Sequence, residues 1–440
     1  MYPFDPALEA KSTTKERFVW MLFMGITFFL LYGAANQYAG LSAPHPSFWM
    51  GWEKEIPFIP SFIVPYMSSD LMFMIAFFMP YTRLELRILA ARVLFILLVS
   101  VAIFVLFPLQ FSFSKPPIDS YTFLFGLLEA DLPFNQLPSL HIAFAIVLWT
   151  SMYKYLKPLW LKIFVALWFW LIVLSTLFVY QHHFIDLPTG AGLGFLAVYL
   201  IGEKRSLFLT TNFTTPRSLK MGLYYLMVSI FFMLLAFKVD TLHWLFLWFF
   251  FSLFCVSIVY AFGLNRLLAG REAKASLWQW LLFAPYFVGN YISWHYYKRK
   301  LPLVTSVIPN VYLGRFPTVE EYQKLEAKGI KHYINLAMEQ QIQKEHSSQT
   351  RFPFLDQTIH APEALHEGVL LIEKYKEEGI YVHCTLGLSR SVLLISSWLL
   401  YQGFTLEEVQ QHISKIQPKY VKSSYMQINL EMYQKMLDTN

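Results

Sequence analysis

Nine stretches of this chain are nearly unbroken runs of apolar side chains, near 18–38, 61–79, 88–108, 138–153, 159–180, 187–201, 221–238, 242–262 and 277–296. Runs of about twenty apolar residues match the helix length that crosses a bilayer core, so they predict membrane-spanning helices. The runs stop near Tyr297, and beyond it short apolar strands alternate with amphipathic helices. Asn310–Gly314 reads as a strand entering a turn, and Tyr333–Leu336 as a second strand. Thr318–Lys328 between them reads as a helix capped by Thr318, with Glu321 three residues on. Glu363–Glu378 is a helix closed by Gly379, Ile380–His383 a strand, and a further helix starts near Arg390. Thr405–Ile416 repeats the Thr-x-x-Glu start. This rhythm predicts an α/β sheet with a loop at the carboxyl end of a strand.

Composition supports the division. Of 440 residues 56% are hydrophobic and only 15% charged, which excludes an ordinary soluble protein. The fold class is a polytopic α-helical membrane domain of about eight or nine spans plus a C-terminal α/β domain. The boundaries are 1–60 for an N-terminal span and outward loop, 61–202 for a membrane domain, 203–300 for additional membrane helices and a linker, and 301–440 for the α/β domain. Lys11, Lys15 and Arg17 precede an apolar run with no small-residue cleavage site, so the first run reads as a retained span.

The net charge of +6 comes largely from cations in short loops, which speaks for topology and against nucleic-acid binding. Lys11/Lys15/Arg17, Arg83/Arg87, Lys154/Lys157/Lys162, Lys204/Arg205/Arg217 and Arg266/Arg271/Lys274 alternate with cation-poor loops. This places the N-terminus in the cytoplasm and the loops near 40–60, 109–137 and 181–187 outside. The run 277–296 is ambiguous, because Pro285, Gly289, Asn290 and His295 interrupt it. If it lies in the interface, the α/β domain stays cytosolic. Lys298-Arg299-Lys300 and the reducing environment a catalytic thiol needs favour that side. Cys255 and Cys384 are the two cysteines, and they imply no disulfide framework.

The chemistry centres on Tyr381-Val382-His383-Cys384-Thr385-Leu386-Gly387-Leu388-Ser389-Arg390-Ser391. A loop between a strand and a helix N-terminus can aim successive backbone N–H groups at one anion. The helix end and Arg390 favour the thiolate form of Cys384, and the Arg390 guanidinium can hold two phosphate oxygens. Gly387 permits the turn, and Ser391 is placed to assist thiolate release.

His-Cys-x-x-Gly-x-x-Arg-Ser resembles the signature of the cysteine-dependent protein tyrosine phosphatases, in the dual-specificity style. The resemblance covers roughly 301–440. It implies phosphate binding by Thr385, Leu386, Gly387, Leu388 and Ser389. It also implies a general acid in an upstream loop, where Asp356 stands in Phe354-Leu355-Asp356-Gln357; His360 and Glu363 are weaker substitutes. His383 reads as a hydrogen-bonding support of the loop. Thr385, Leu386 and Leu388 stand where phosphoinositide phosphatases often carry lysine, which disfavours a highly charged inositol head group.

A second group lies at the outward ends of the apolar runs. Pro138-Ser139-Leu140-His141 begins one run, and Ser175-Thr176 is followed by Gln181-His182-His183-Phe184-Ile185-Asp186. Histidines and an aspartate there are costly unless they meet in a polar cleft. His182 and Asp186, four apart, can pair so that the carboxylate orients the imidazole. These motifs resemble the type 2 phosphatidic acid phosphatase superfamily over about 60–202, implying a six-helix core in which His182 attacks phosphorus and His141 protonates the leaving oxygen. His183 competes with His182, but only His182 has the family's gap to the aspartate. Thr176 replaces an expected arginine. The family's cationic first motif is missing before Pro108, where Ser100 and Phe107 stand, and Lys115 substitutes for it in part. These forms look more like the inositolphosphoryl- and phosphocholine-transferase branch.

Together the two resemblances look like a bacterial fusion of a phosphatidic-acid-phosphatase-like membrane domain with a dual-specificity phosphatase. They imply an inner-membrane, multi-pass enzyme in phospholipid metabolism. Its partners would be membrane lipids and a phosphorylated lipid or phosphoprotein substrate, and both mechanisms are covalent without metal or cofactor. The rival reading is a membrane-tethered protein tyrosine/serine/threonine phosphatase whose anchor is not catalytic.

Overall fold

The computed structural model describes residues 11–129, 131–202, 216–270, 273–342 and 348–439. Lys204, Arg205 and Arg271, three of the loop cations above, lie outside the described residues. The chain divides into two compact units, Met1–Phe208 and Leu209–Asn440.

The first unit contains α1 (Thr14–Leu41), α2 (Ile63–Phe78), α3 (Arg83–Leu106), α4 (Thr122–Leu128), α5 (Leu140–Met152), α6 (Leu159–Phe178) and α7 (Asp186–Leu200). Thr13 and Thr82 cap α1 and α3, each exchanging hydrogen bonds with a glutamate three residues on. Helices α5 and α7 approach closely where side chains are small. A Cβ on Gly190 would lie 2.5 Å from the Ser139 carbonyl oxygen, so only glycine permits this spacing. The contact draws the start of α5, with His141, against the start of α7, with Asp186.

The second unit opens with α8 (Pro216–Lys238), α9 (His243–Phe262), the short α10 (Asn265–Leu268) and α11 (Leu277–Tyr297). Among the described residues, α1, α2 together with the 3-10 turn before it (Pro60–Phe78), α3, α6, α8 and α9 are long and apolar enough to cross a membrane. Six of the nine apolar runs meet this measure of length and composition among the described residues. With 13 and 15 residues, α5 and α7 reach only about 20 Å at ~1.5 Å per residue, short of a ~30 Å hydrocarbon core. The polar residues of the second motif group occupy the ends of these same two runs.

The rest of the second unit is an α/β sandwich. Strands β1 (Val304–Ile308), β2 (Val311–Arg315), β3 (His332–Asn335), β4 (Gln349–Arg351) and β5 (Ile380–Cys384) form one sheet in the order β1-β2-β5-β3-β4. Only β1 runs antiparallel to its neighbour; β2, β5, β3 and β4 pair in parallel. Helices α12 (Val319–Glu326), α13 (Pro362–Tyr375), α14 (Arg390–Tyr401), α15 (Leu406–Ile416) and α16 (Ser424–Thr439) complete it. Strand β5 is fully buried because it is central and covered on both faces, as its near-continuous apolar sequence requires. Thr318 and Thr405 cap α12 and α15 as their spacing predicts, with Glu321 and Glu408 returning the bond.

Candidate active site

Cys384 is the last residue of β5, and the loop from Thr385 to Ser389 leads into α14. Three carbonyls of this loop are tied to outside partners. The Thr385 oxygen accepts from the Phe316 amide at 3.3 Å and the Leu388 oxygen from the Val421 amide at 2.8 Å. The Gly387 oxygen accepts from Gln417 Nε2 at 3.1 Å. In a trans peptide the following N–H points opposite to the carbonyl. The amides of Leu386, Leu388 and Ser389 thus face the side away from these partners, which builds the amide-lined concavity expected from the strand–loop–helix pattern. Gly387 holds φ +73°, and a Cβ there would sit 2.6 Å from the Gly314 carbonyl carbon, so the loop needs glycine twice over.

The side chains of the loop converge as well. Cys384 Sγ and Ser391 Oγ are 3.5 Å apart, and the cysteine is 2% exposed. Arg390, buried beside them, is gripped end-on by Glu339: Nη1 donates to Oε2 at 2.7 Å and Nη2 to Oε1 at 2.5 Å. Nη1 also donates to the carbonyl oxygens of Leu336 (2.9 Å) and Phe354 (3.0 Å). Arg390 Nε has no hydrogen-bond partner among the described residues. Nη2 also reaches Thr385 Oγ1 at 3.4 Å, so Nε, facing the Asp356 carboxylate at 3.5 Å, is the guanidinium donor left for an anion oxygen. The Glu339 and Asp356 charges hold Arg390 firmly in its charged form against the opposing effect of burial.

Asp356 belongs to the same constellation. Its Oδ1 accepts from Ser389 Oγ at 2.7 Å and lies 3.5 Å from Arg390 Nε, and its side chain is partly open to solvent. Ser389 Oγ also bonds the Tyr425 hydroxyl, and Thr385 Oγ1 bonds Glu339. Leu386 and Leu388 are half-buried loop residues. Glu339 and Tyr425 escape the sequence reading. Glu339 follows β3 in an unpatterned stretch, and its only signal is that a buried arginine needs a carboxylate.

Two histidines correct the reading. The ring nitrogens of His383 have no partner among the described residues, so it does not support the loop by hydrogen bonding. It is packed instead between Phe316, edge-on at 4.9 Å, and Tyr381, stacked at 5.4 Å. Burial, with a smaller push from Arg351, drives its pKa down to about 3. His360 is also buried and stacked on Phe354 at 4.2 Å, and burial plus the Arg390 charge bring its pKa to about 3. A neutral, enclosed imidazole is no substitute acid. Glu363 sits in the first turn of α13.

In the first unit His182 Nδ1 pairs with Asp186 Oδ2 at 3.1 Å, and the His141 ring lies 6.0 Å from the His182 ring. His183 is engaged elsewhere, with Nδ1 on Glu53 at 3.1 Å and Nε2 near Ser47 Oγ at 3.1 Å and Ser112 Oγ at 3.2 Å. It thus fastens the segments that carry Ser47, Glu53 and Ser112, and His182 alone holds the aspartate side chain through its ring. Thr176 Oγ1 is spent on the Val173 carbonyl of its own helix. Lys115 is exposed, and both it and His182 lie within electrostatic reach of Asp131. Asp131 is bound by the Tyr32 hydroxyl at 2.9 Å and Asn36 Nδ2 at 2.7 Å. An apolar cavity of ≈ 440 Å³ lies alongside, its lining including Leu137 and Ile185, the neighbours of Pro138 and Asp186.

Residues 311–436 match the family described as dual specificity phosphatase, catalytic domain. The C-terminal part of the chain is thus a phosphatase domain of the cysteine-dependent, dual-specificity kind. Among solved structures, PTPMT1 in complex with PI(5)P is 21% identical over 31% of this chain and 99% of its own, with a TM-score of 0.29. Tk-PTP in the active form is 21% identical over 30% of this chain and 97% of its own, also at 0.29. Human DUSP28 is 21% identical over 31% and 99%, at 0.28. No curated protein matches the chain.

Proposed function

We propose that this chain is an integral membrane phosphatase whose C-terminal site hydrolyses phosphomonoesters through a cysteinyl-phosphate intermediate. The observation that carries the reading is the strand–loop–helix turn that sets Cys384 Sγ 3.5 Å from Ser391 Oγ, ties the loop carbonyls to outside partners and holds Arg390 beside Asp356. The Cys384 thiolate attacks phosphorus, and the bond from phosphorus to the ester oxygen breaks. Asp356, in the fraction of molecules where it carries a proton, gives that proton to the departing oxygen. Arg390 and the loop amides hold the three non-bridging oxygens throughout. In the second half, Asp356 takes a proton from water as its oxygen attacks phosphorus. The sulfur leaves as thiolate, accepting a hydrogen bond from Ser391 Oγ. Inorganic phosphate departs.

The first unit is proposed to hold a second site that hydrolyses or transfers a lipid phosphate. Support comes from the His182–Asp186 pair at 3.1 Å, the His141 ring 6.0 Å from the His182 ring, and an apolar cavity lined in part by Leu137 and Ile185. His182 would attack phosphorus and His141 would protonate the leaving oxygen. Lys115 is its candidate phosphate-binding cation, since Thr176 supplies no charge. We place the chain in the bacterial inner membrane, with the C-terminal domain on the cytosolic side.

Turnover of an aryl phosphate by the purified full chain tests the first assignment. Cys384→Ser should abolish it and vanadate should inhibit it, whereas wild-type rates from Cys384→Ser would refute the reading. His182→Ala, assayed on lipid phosphates in the Cys384→Ser background, tests the second.

A further inference from the structure

The loops that carry the catalytic carboxylates are seated on apolar helices. Met338, beside Glu339, and Leu355, beside Asp356, share one buried cluster with Tyr260 of α9 and Phe283, Tyr286 and Phe287 of α11. Polar bonds fix the same seam. Asn265 Nδ2 donates to the Pro353 carbonyl at 2.6 Å, and Gln341 Nε2 to the Ala273 carbonyl at 2.8 Å. Trp294 Nε1 of α11 donates to the Phe316 carbonyl at 3.0 Å. Arg217, at the start of α8, bonds Gln357, the residue after Asp356. Every loop that frames Cys384 from the β2, β3 and β4 side is thereby attached to α8–α11.

Three phenols end on this seam. The Tyr225 ring of α8 stacks on Tyr260 at 5.5 Å and meets Tyr286 edge-on at 5.8 Å. The Tyr260 and Tyr286 hydroxyls are 3.3 Å apart. The Glu339 and Asp356 charges reach both Tyr225 and Tyr260, and Tyr225 is the half-exposed member. Helix α11 itself has two faces. Gln279, Phe283, Tyr286, Phe287 and Trp294 are buried against the unit, while Trp278, Leu281, Val288, Ile292 and Tyr296 are exposed along the other side. Lys298 and Lys300 follow, their ammonium groups over the Trp294 and Tyr296 rings at 4.6 and 4.1 Å. An exposed apolar stripe ending in cations and aromatic rings suits a helix lying in a membrane interface. Its neighbours α8 and α9 are long enough to cross.

We propose that the substrate at Cys384 is a membrane lipid with a phosphomonoester head group, reaching the sulfur from the bilayer surface past the half-exposed Tyr225. This rests on the hydrolase reading given above. A phospholipid presents its phosphate at the bilayer surface, outside the hydrocarbon core. Its phosphate enters the pocket while its acyl chains stay beside the apolar stripe of α11, and the products are a lipid alcohol and inorganic phosphate. A phosphorylated side chain of a soluble protein would have to pass between the seam and the membrane.

The test uses the full chain with His182→Ala, so that lipid turnover reports on Cys384, reconstituted in phosphatidylcholine vesicles. Dioleoyl phosphatidic acid should be hydrolysed with kcat/KM at least about 100-fold above glycerol 3-phosphate and a phosphotyrosyl peptide, and Cys384→Ser should remove this turnover. Tyr225→Ala, with Tyr225→Phe as the milder variant, should shift the lipid-to-aryl-phosphate ratio of kcat/KM about tenfold toward the aryl substrate. A peptide hydrolysed as well as the lipid, or Tyr225 variants that leave the ratio unchanged, would overturn the proposal. Absence of Cys384-dependent aryl phosphate turnover would remove the underlying hydrolase reading instead, and this one with it.

Discussion

Arg390 is both anchored and available. Glu339 holds one edge of the guanidinium, and Nε, facing Asp356 at 3.5 Å, keeps a donor without a hydrogen bond. Glu339→Gln keeps the shape and removes the charge, so the fork should lose its fixed orientation. The expected result is a fall in kcat/KM of roughly 10–100-fold for an aryl phosphate, most of it in kcat. Asp356→Ala should slow turnover most for substrates with poor leaving groups, because only they depend on protonation of the departing oxygen. A leaving-group series checks this. The residue scale also carries a pH prediction. His360 and His383 titrate near 6.5 when unfolded but near 3 when folded. The unfolded state therefore binds more protons below pH 6.5, and stability falls as pH drops from 6.5 toward 3. At pH 5 the loss is about 2 kcal/mol for each histidine. Thermal unfolding of the full chain should show a lower Tm at pH 5 than at pH 7, and His383→Phe should reduce that difference.

At the scale of elements, what the pattern of residues revealed depended on how local the signal was. Thr318 with Glu321, and Thr405 with Glu408, announce helix starts because a capping box lies within one turn. Strand β5 and the start of α14 were legible from one apolar run and one glycine-bearing loop. Strands β1 and β4 went unread, since β4 spans three half-exposed or exposed residues and β1 carries a register shift between Ser306 and Ile308. Helix α16 was missed although Tyr425, Asn429 and Tyr433 are buried along it. Glu339, Tyr425 and Asp131 act through contacts distant in sequence, and no spacing rule reports those. The glycine at 387 supplies the element-scale prediction. Gly387→Ala forces a side chain into positive φ and against the Gly314 backbone, so phosphate binding and turnover should fall together. Vanadate affinity read beside kcat checks that the loop itself is lost.

For the whole molecule, the seam between α8–α11 and the phosphatase loops bears on topology. Helix α11 touches the catalytic domain from Phe283 to Trp294, which ties most of its length to that domain. Contact over this length predicts that the domain shares a side of the membrane with the loop that joins α9 to α11. A cysteine introduced at exposed Lys328, in a Cys255→Ser background, should be labelled by a membrane-impermeant maleimide only after the cytoplasmic face is opened. Labelling in intact cells would put the domain outside and contradict the cytosolic placement.

All of this depends on Cys384 carrying the phosphoryl group. Rapid quenching of the full chain during turnover of a ³²P-labelled aryl phosphate, followed by peptide mapping, measures that directly. The account predicts a thiophosphate on the peptide containing Cys384, absent from Cys384→Ser and accumulating when hydrolysis of the intermediate is slowed in Asp356→Ala. Phosphate release at the normal rate with no label on that peptide would contradict it.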